Sequence, residues 1–352
     1  MPIDSVYFPT LIRKIVDAVL TEQQCLISTP NVNFLIKSQD NIAFRETILS
    51  SNLCLADGMP LIWIAKLLQI PIRERVAGAD LFGRLKALKS SRLNRRLRVF
   101  LLGGAEGLAE KVARQLNGTE CGLECVGFLN PGFGSISDLS TDEVLSAINS
   151  SRADLLAVFF GAEKAQAWLL HNHHRLTVPV RAQFGATINF EAGAVKRAPL
   201  FLRSTGFEWL WRIKEEPYLW RRYWKDGIAL LRLLTACVLP LVVGGYRRRQ
   251  GENRFSVLTT WEPARTTLGF VGAAIDENAD RAISALREAL ARDADVDVDL
   301  SRTETIDARF FGLLLMMRKK MSSRGKRLQL YGESAYLRRL FRLNRFEYLL
   351  SS

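Results

Sequence analysis

The residues of this 352-residue chain whose types and spacing could do chemistry fall in four short stretches of its first third. STPNVNF (28–34) carries Thr29 and Asn31, and LCLADGMPL (53–61) carries Asp57 followed by Gly58. RERVAGADLF (73–82) carries Arg75, Gly78 and Asp80, and LLGGAEG (101–107) carries Gly103 and Gly104. The chemistry on offer is anion binding beside a carboxylate. A glycine turn opening a helix lets backbone N–H groups approach a phosphate, and an arginine fork pairs with phosphate oxygens two at a time. Each residue also has a structural reading. Asp57-Gly58 is a common turn, Asp80 a helix cap, and Gly103-Gly104 a tight connection. The run Gly103-Gly104-Ala105-Glu106-Gly107 does not match GxGxxG, so the dinucleotide reading is weak.

Other chemistries find little support. Cys121-x-x-x-Cys125 lacks a second pair, and His171, His173 and His174 share one HNHH stretch, so four ligands at zinc-like spacing are not visible. Asp295, Asp297 and Asp299 imitate a metal-binding D-x-D signature, but their alternation with Val296, Val298 and Leu300 reads as a half-buried strand. No Ser–His–Asp or Cys–His constellation stands out. Neither a metal nor a cofactor is expected.

The elements that must position these residues follow from the apolar pattern. CLIST (25–29), NLCLA (52–56), RVFLLGG (98–104), DLLAVFF (154–160) and VPVRAQF (178–184) read as strands, with helical patterns between them such as 80–90 and 108–116. Apolar strands alternating with helices predict an α/β layer fold around a mainly parallel, Rossmann-like sheet. Ligands of such sheets bind outside the carboxyl ends of the strands, where the stretches above lie. The turn-rich segment 127–140 reads as a surface loop. After residue 254 a second small unit begins. FSVLTTW and TTLGFVG form a hairpin, followed by a helix at 278–292, a strand at 296–301, a helix around 310–323, a strand at 327–332 and a last helix.

Composition bounds the partners. Apolar residues make up 48% and charged residues 24%, ordinary globular usage that excludes wholesale disorder. Lysine and arginine number 49 against 36 acids, a net charge of +13 that suggests an anionic partner. Five cysteines, few and odd in number, fit a reducing compartment. The N-terminus reads as an amphipathic helix rather than a signal peptide. From 203 to 249 ten Lys/Arg stand against four acids, a local excess of 10 − 4 = +6, interleaved with Trp209, Trp211, Tyr218, Trp220, Tyr223 and Trp224. A membrane interface favours that mixture. A single-stranded nucleic-acid groove and a helical hairpin packing its aromatics on the sheet domain are the other readings. Residues 227–246 are apolar with basic flanks. Arg232 sits within them and Pro240 interrupts them, which favours a segment lying on an anionic leaflet over a spanning helix or a buried one.

In order along the chain, NVNFLI, LADGMPLIW, RVAGADLF, VFLLGGAEGLAEKVARQL, the GAEKAQAW block, GATINFEAGAVKRAP and GFEWLWRIKEEPYLWRRY resemble the WecG/TagA/CpsF glycosyltransferases (glycosyltransferase family 26) over roughly residues 5–235. The resemblance implies an inverting glycosyltransferase. It would move N-acetylmannosamine, its uronic acid or another hexose from a UDP-sugar to a polyprenyl-diphosphate-linked saccharide, in the cytoplasm at the inner membrane face, during surface polysaccharide synthesis. It places the catalytic base at Asp57 and substrate-binding positions at Thr29, Asn31, Arg75, Gly103, Gly104, Gln166, Asn189, Arg212, Arg221 and Arg222. The last three belong to a C-terminal appendage that in the family closes over the site and touches the membrane. Two blocks depart from the family pattern. G-x-P-x-Q-E-x-W is here Gly161 to Trp168 without the proline, and Gln166 is one place later than the family glutamine; T-F-D-F is Thr187-Ile188-Asn189-Phe190. The departures keep open a catalytically altered, UDP-binding scaffold.

Residues 254–350 resemble a STAS domain, through DLS, the pair Ile306-Asp307 and the helix followed by RLQLYG. In regulatory members a serine just after that aspartate is phosphorylated. Here Ala308 and Arg309 follow, so the resemblance implies a protein partner or a stabilising role rather than a phosphorylation switch. The expected domains are 1–200 (transferase), 201–250 (appendage and membrane-associating segment) and 251–352 (STAS-like). The expected partners are a UDP-sugar donor, an undecaprenyl-diphosphate-linked acceptor and an anionic membrane surface, with no nucleic acid.

Overall fold

The structure is a computed structural model that describes residues 1–72, 74–88, 92–248 and 254–350. It divides into two compact units. The first comprises Met1, Ile3–Lys66 and Pro71–Ile228, the second Ala229–Ser352 with Pro2 and Leu67–Ile70. The division falls inside a helix of the basic–aromatic segment, and the boundary expected at 250/251 lies outside the described residues.

In the first unit six strands form one parallel sheet: β1 (Cys25–Ser28), β2 (Leu53–Cys54), β3 (Leu97–Gly103), β4 (Leu123–Leu129), β5 (Leu155–Phe159) and β6 (Val180–Gln183), in the order β2-β1-β6-β5-β3-β4. Alternate residues serve two cores. Ile27, Val99, Leu101, Leu155 and Ala157 join the core on one face. Leu26, Phe100, Leu102, Leu156 and Val158 join the other. Burial on both faces is why these strands read as unbroken apolar runs. β2 is shorter than the expected 52–56, but its pairing continues irregularly: the Leu55 N–H donates to Ser28 O and the Asp57 N–H to Pro30 O, both at 2.8 Å.

β4 corrects the loop expected at 127–140, since Gly127–Leu129 are strand. It is an edge strand with Glu124 and Phe128 exposed, so its apolar run is broken. Gly127 is required by packing. A Cβ there would stand 2.6 Å from the Phe100 ring, beside a bulge in the pairing at Val99/Phe100. The helix expected at 80–90 starts earlier and runs Gly78–Lys86; its expected last residues, 89 and 90, lie outside the described residues.

The second unit has a four-stranded mixed sheet: β7 (Phe255–Trp261), β8 (Arg265–Ala274), β9 (Asp295–Ile306) and β10 (Leu328–Tyr331), in the order β10-β9-β8-β7. The β7–β8 hairpin is antiparallel and the other pairs are parallel. Asp295, Asp297 and Asp299 lie on β9 as expected. Asp295 pairs with Arg327 and Asp297 with Arg265, both at 3.0 Å, and Asp299 accepts the Ser301 N–H at 2.8 Å. Asp307 caps the helix Ala308–Ser322 by accepting the Phe310 N–H, and also accepts the Asp276 N–H. Arg309 pairs with Asp276.

Pro240 does not interrupt its segment. An α-helix at Trp220–Leu233 continues through a π turn at Leu234–Val238 into Leu239–Arg248. Proline lacks an N–H and clashes with the carbonyl four residues earlier. The wider π turn just before it accommodates that ring. The helical stretch Pro217–Gly244 has 28 residues and is long and apolar enough to cross a membrane by length and composition. Cys237 and Val238 are buried, and this part of the helix packs on the helix Ala335–Leu343. Leu231, Leu239 and Val243 face outward.

Candidate active site

Asp57 stands at the carboxyl end of β2, beside the ends of β1 and β6. The hydrogen bond from its N–H to Pro30 fixes the backbone, and Gly58 (φ +136°) turns the chain into the helix Met59–Leu67. The first N–H of the helix Gly78–Lys86, that of Gly78, points at Asp57 Oδ2 from 3.5 Å. Burial pushes the carboxyl pKa up to about 7. The charge of Glu208 adds to the rise, while Arg75 and the Gly78 N–H oppose it. A carboxyl so poised is half-ionised near neutrality, which suits a general base.

Arg75 lies between two acids, donating to Asp80 at 2.9 Å and to Glu208 at 3.0 Å. Burial works against its charge, but Asp57, Glu208 and Asp80 outweigh it and hold its pKa above the usual value. Thr29, at the end of β1, is buried and accepts a 2.7 Å hydrogen bond from Gln183 Nε2 on β6. A Cβ on Gly78 would lie 3.7 Å from the Thr29 hydroxyl, so the two are neighbours. Asn31 caps the helix Val32–Asp40 by accepting the Phe34 N–H at 3.2 Å.

Gly103 and Gly104 end β3, three strand positions from β1 and so about 14 Å across the sheet. Both have φ near +90°, and added Cβ atoms would come within 2.6 Å of the Phe160 ring and 2.9 Å of Ile188. Gly104 is thus in contact with the helix Thr187–Glu191, which carries Asn189 and Phe190. Arg212 is paired with Glu216 and lies 5.1 Å above the Phe190 ring. Arg222 stands 3.9 Å from Asp226, which accepts from Asn33 Nδ2 at 3.2 Å and so ties the appendage to the helix after β1. The phenol of Tyr223 is pushed up by burial, with Arg212 and Arg222 opposing and Glu208 and Glu216 adding. Of these groups Arg222 stands over the ring itself, 5.3 Å from its centroid. Among the described residues no cluster of three or more His, Cys, Asp or Glu could hold a metal ion.

The family model described as "Glycosyl transferase WecG/TagA/CpsF family" matches residues 1–241. The chain belongs to this family. Residues 258–351 match the model described as "Mlab, STAS domain". Among similar curated proteins, an N-acetylglucosaminyldiphosphoundecaprenol N-acetyl-beta-D-mannosaminyltransferase of Bacillus spizizenii is 26% identical over 196 residues, covering 56% of this chain and 73% of the relative. The protein of that name from Bacillus subtilis is 23% identical over 197 residues, covering 56% and 74%. The one from Staphylococcus aureus is 25% identical over 189 residues, covering 53% and 70%.

Of the expected positions, the structure brings Asp57, Arg75 and Thr29 together, and sets Arg222 over the Tyr223 ring and Arg212 over the Phe190 ring. It leaves two expected residues apart. Gln166 is fully buried, its amide donating to Thr47 O at 3.1 Å and Ser51 Oγ at 2.8 Å, so it holds two helices together. Arg221 stacks on the exposed Trp220 ring at 5.7 Å. Sequence reasoning missed Glu208 and undervalued Asp80, which together hold Arg75. The one available signal was an acid, Glu208, standing among the aromatic residues of the GFEWLWR block.

Proposed function

We propose that the first unit is an inverting transferase that moves a hexose from a UDP-sugar to a polyprenyl-diphosphate-linked saccharide. The observation that carries the reading is the carboxyl of Asp57, poised near neutrality beside Arg75 at the strand ends. An acceptor hydroxyl attacks the anomeric carbon in line with the departing UDP. The new C–O bond forms as the old one breaks, and the hydroxyl proton passes to Asp57. The bond electrons leave on the UDP oxygen, whose charge Arg75, Arg212 and Arg222 offset. Thr29, Asn31, Gly103, Gly104 and Asn189 shape the donor pocket, and Gln166 supports it from behind. The relatives' names give N-acetylmannosamine as the sugar moved and N-acetylglucosaminyl-diphospho-undecaprenol as the acceptor. Carried to this chain, they favour N-acetylmannosamine over its uronic acid or another hexose.

The enzyme works on the cytoplasmic leaflet as a peripheral protein. The exposed Trp209, Trp220, Trp224 and Ile228 of the first unit support contact with lipid. The second unit supports a helix lying in the interface rather than crossing. Leu231, Leu239 and Val243 are exposed, while Cys237 and Val238 are held against the helix Ala335–Leu343, whose Arg338, Arg339 and Arg342 are exposed. Crossing would draw those arginines toward hydrocarbon, at about 2.5–3.5 kcal/mol each at the bilayer centre.

The test is sugar transfer by the purified full-length protein, with a panel of UDP-sugars and a short polyprenyl-diphospho-N-acetylglucosamine. One donor should turn over, and Asp57→Asn should lower the rate about 100-fold or more. An Asp57→Asn rate above a tenth of wild type refutes the base assignment. UDP binding without turnover of any donor favours the scaffold reading.

A further inference from the structure

Three guanidinium groups of the first unit converge on one carboxylate. Asp80, in the first turn of the helix Gly78–Lys86, accepts from Arg197 at 2.6 Å and Arg203 at 3.1 Å on Oδ1, and from Arg75 at 2.9 Å on Oδ2. Arg75 also donates to Glu208. All five side chains are between 14% and 27% exposed. A buried N–H without a partner is costly. Here the Nε–H groups of Arg197 and Arg203 are buried without one, so two donors remain for a ligand. The three arginines and two acids leave 3 − 2 = +1, next to Asp57 and a helix N-terminus.

Resting on the transferase reading, we infer that Arg75, Arg197 and Arg203 form the clamp for a diphosphate group, with Glu208 as a stand-in carboxylate that the diphosphate displaces from Arg75. Asp80 is a positioning residue that holds the three forks in one place. The charge count supports the exchange. With Glu208 displaced, three arginines against Asp80 leave 3 − 1 = +2. A diphosphate esterified at both ends carries two negative charges, whether it links uridine to a sugar or a polyprenol to one. Bidentate guanidinium–phosphate pairing is the strongest use of such forks. Glu208 opens the helix Glu208–Glu215 of the appendage, so its displacement reports ligand entry to that element.

The experiment measures binding of two probes whose diphosphate is esterified at both ends, UDP-N-acetylmannosamine and geranyl-diphospho-N-acetylglucosamine, to the full-length protein in detergent by titration calorimetry. Arg197→Gln and Arg203→Gln should each weaken one probe about 10-fold or more, with partial recovery in Arg197→Lys and Arg203→Lys. The probe that moves identifies the donor or the acceptor as the clamped diphosphate. Glu208→Gln should tighten the same probe about 3- to 10-fold, a gain that loss of a merely structural contact does not produce. Asp80→Asn should weaken it. If Asp80→Asn fails to fold, the Arg203 and Glu208 variants decide alone. Folded arginine variants whose affinities for both probes stay within twofold of wild type overturn the clamp, and a weakened Glu208→Gln overturns the stand-in. Wild type binding neither probe removes the transferase reading itself, and the clamp with it. Wild-type binding of either probe with unaffected variants removes only the clamp.

Discussion

Replacing Asp57 with asparagine should lower transfer about 100-fold or more and yet stabilise the first unit above neutral pH. The carboxyl titrates at about 7 instead of 3.8, chiefly because it is buried and secondly because Glu208 is near. The folded state therefore holds a proton between these values that the unfolded chain has already released. Wild-type stability falls as pH rises through that window and stays low above it. Each pH unit across the window costs about 1.4 kcal/mol, so about three units amount to roughly 4 kcal/mol by pH 8. Asparagine has the same shape and no proton to lose. Some of the gain is lost through poorer hydrogen bonding to the Gly78 N–H, which leaves an advantage of about 1–4 kcal/mol at pH 8 and little at pH 4. For a unit of this size that is about 2–4 °C per kcal/mol in melting temperature. The assay is thermal and urea unfolding of both proteins from pH 4 to 8, followed by tryptophan fluorescence. Six of the seven tryptophans (all but Trp261) belong to the first unit, so the signal reports it. An advantage that does not grow with pH, or a mutant less stable than wild type at pH 8, refutes the strained carboxylate.

The proposed base at Asp57 also predicts a rate profile. kcat/KM for sugar transfer should rise with pH to a plateau with an apparent pKa near 7, and Glu208→Gln should move that limb to lower pH by removing one cause of the shift. Asp154, 3% exposed, binds Arg95 at 2.9 Å and the Arg98 N–H at 2.8 Å; burial would raise its pKa, but these partners hold it below the usual value. Its contribution is therefore present above about pH 4 and lost as pH falls below. Asp154→Asn should cost about 1–3 kcal/mol at pH 7, because the arginines it leaves behind reach solvent, read from urea midpoints, with KM for the donor unchanged.

Much of the sheet is legible because β3 and β5 lie between two cores, so apart from Arg98 near the start of β3 their residues are apolar. β4 is not legible, because an edge strand exposes Glu124 and Phe128 and needs a glycine at 127 for a ring 27 residues earlier. The same limit governs the site. Asp57 and Arg75 announce themselves by lying just beyond strand and turn signals. Glu208 reaches Arg75 across 133 residues and looks locally like a solvated acid in a basic segment. Gln166 looks like a polar residue on an open face, because nothing local shows that Thr47 and Ser51 await its amide. Pro240 reads as a break because a π turn depends on what the helix packs against, which is not written within five residues of it.

The order of the sheet has a consequence for how the chain is made. β1 lies between β2 and β6, so its second neighbour is supplied only when residues 180–183 emerge, some 155 residues later. At about 5–20 residues per second, translation leaves that edge open for roughly 8–30 s. During this interval the buried strand Cys25–Ser28 offers bare N–H and C=O groups to any passing strand. A ribosome that stalls before residue 180 therefore releases a fragment prone to pair with its own copies. A pause that comes after residues 180–183 have emerged would be harmless by comparison, because by then the gap in the sheet can be filled.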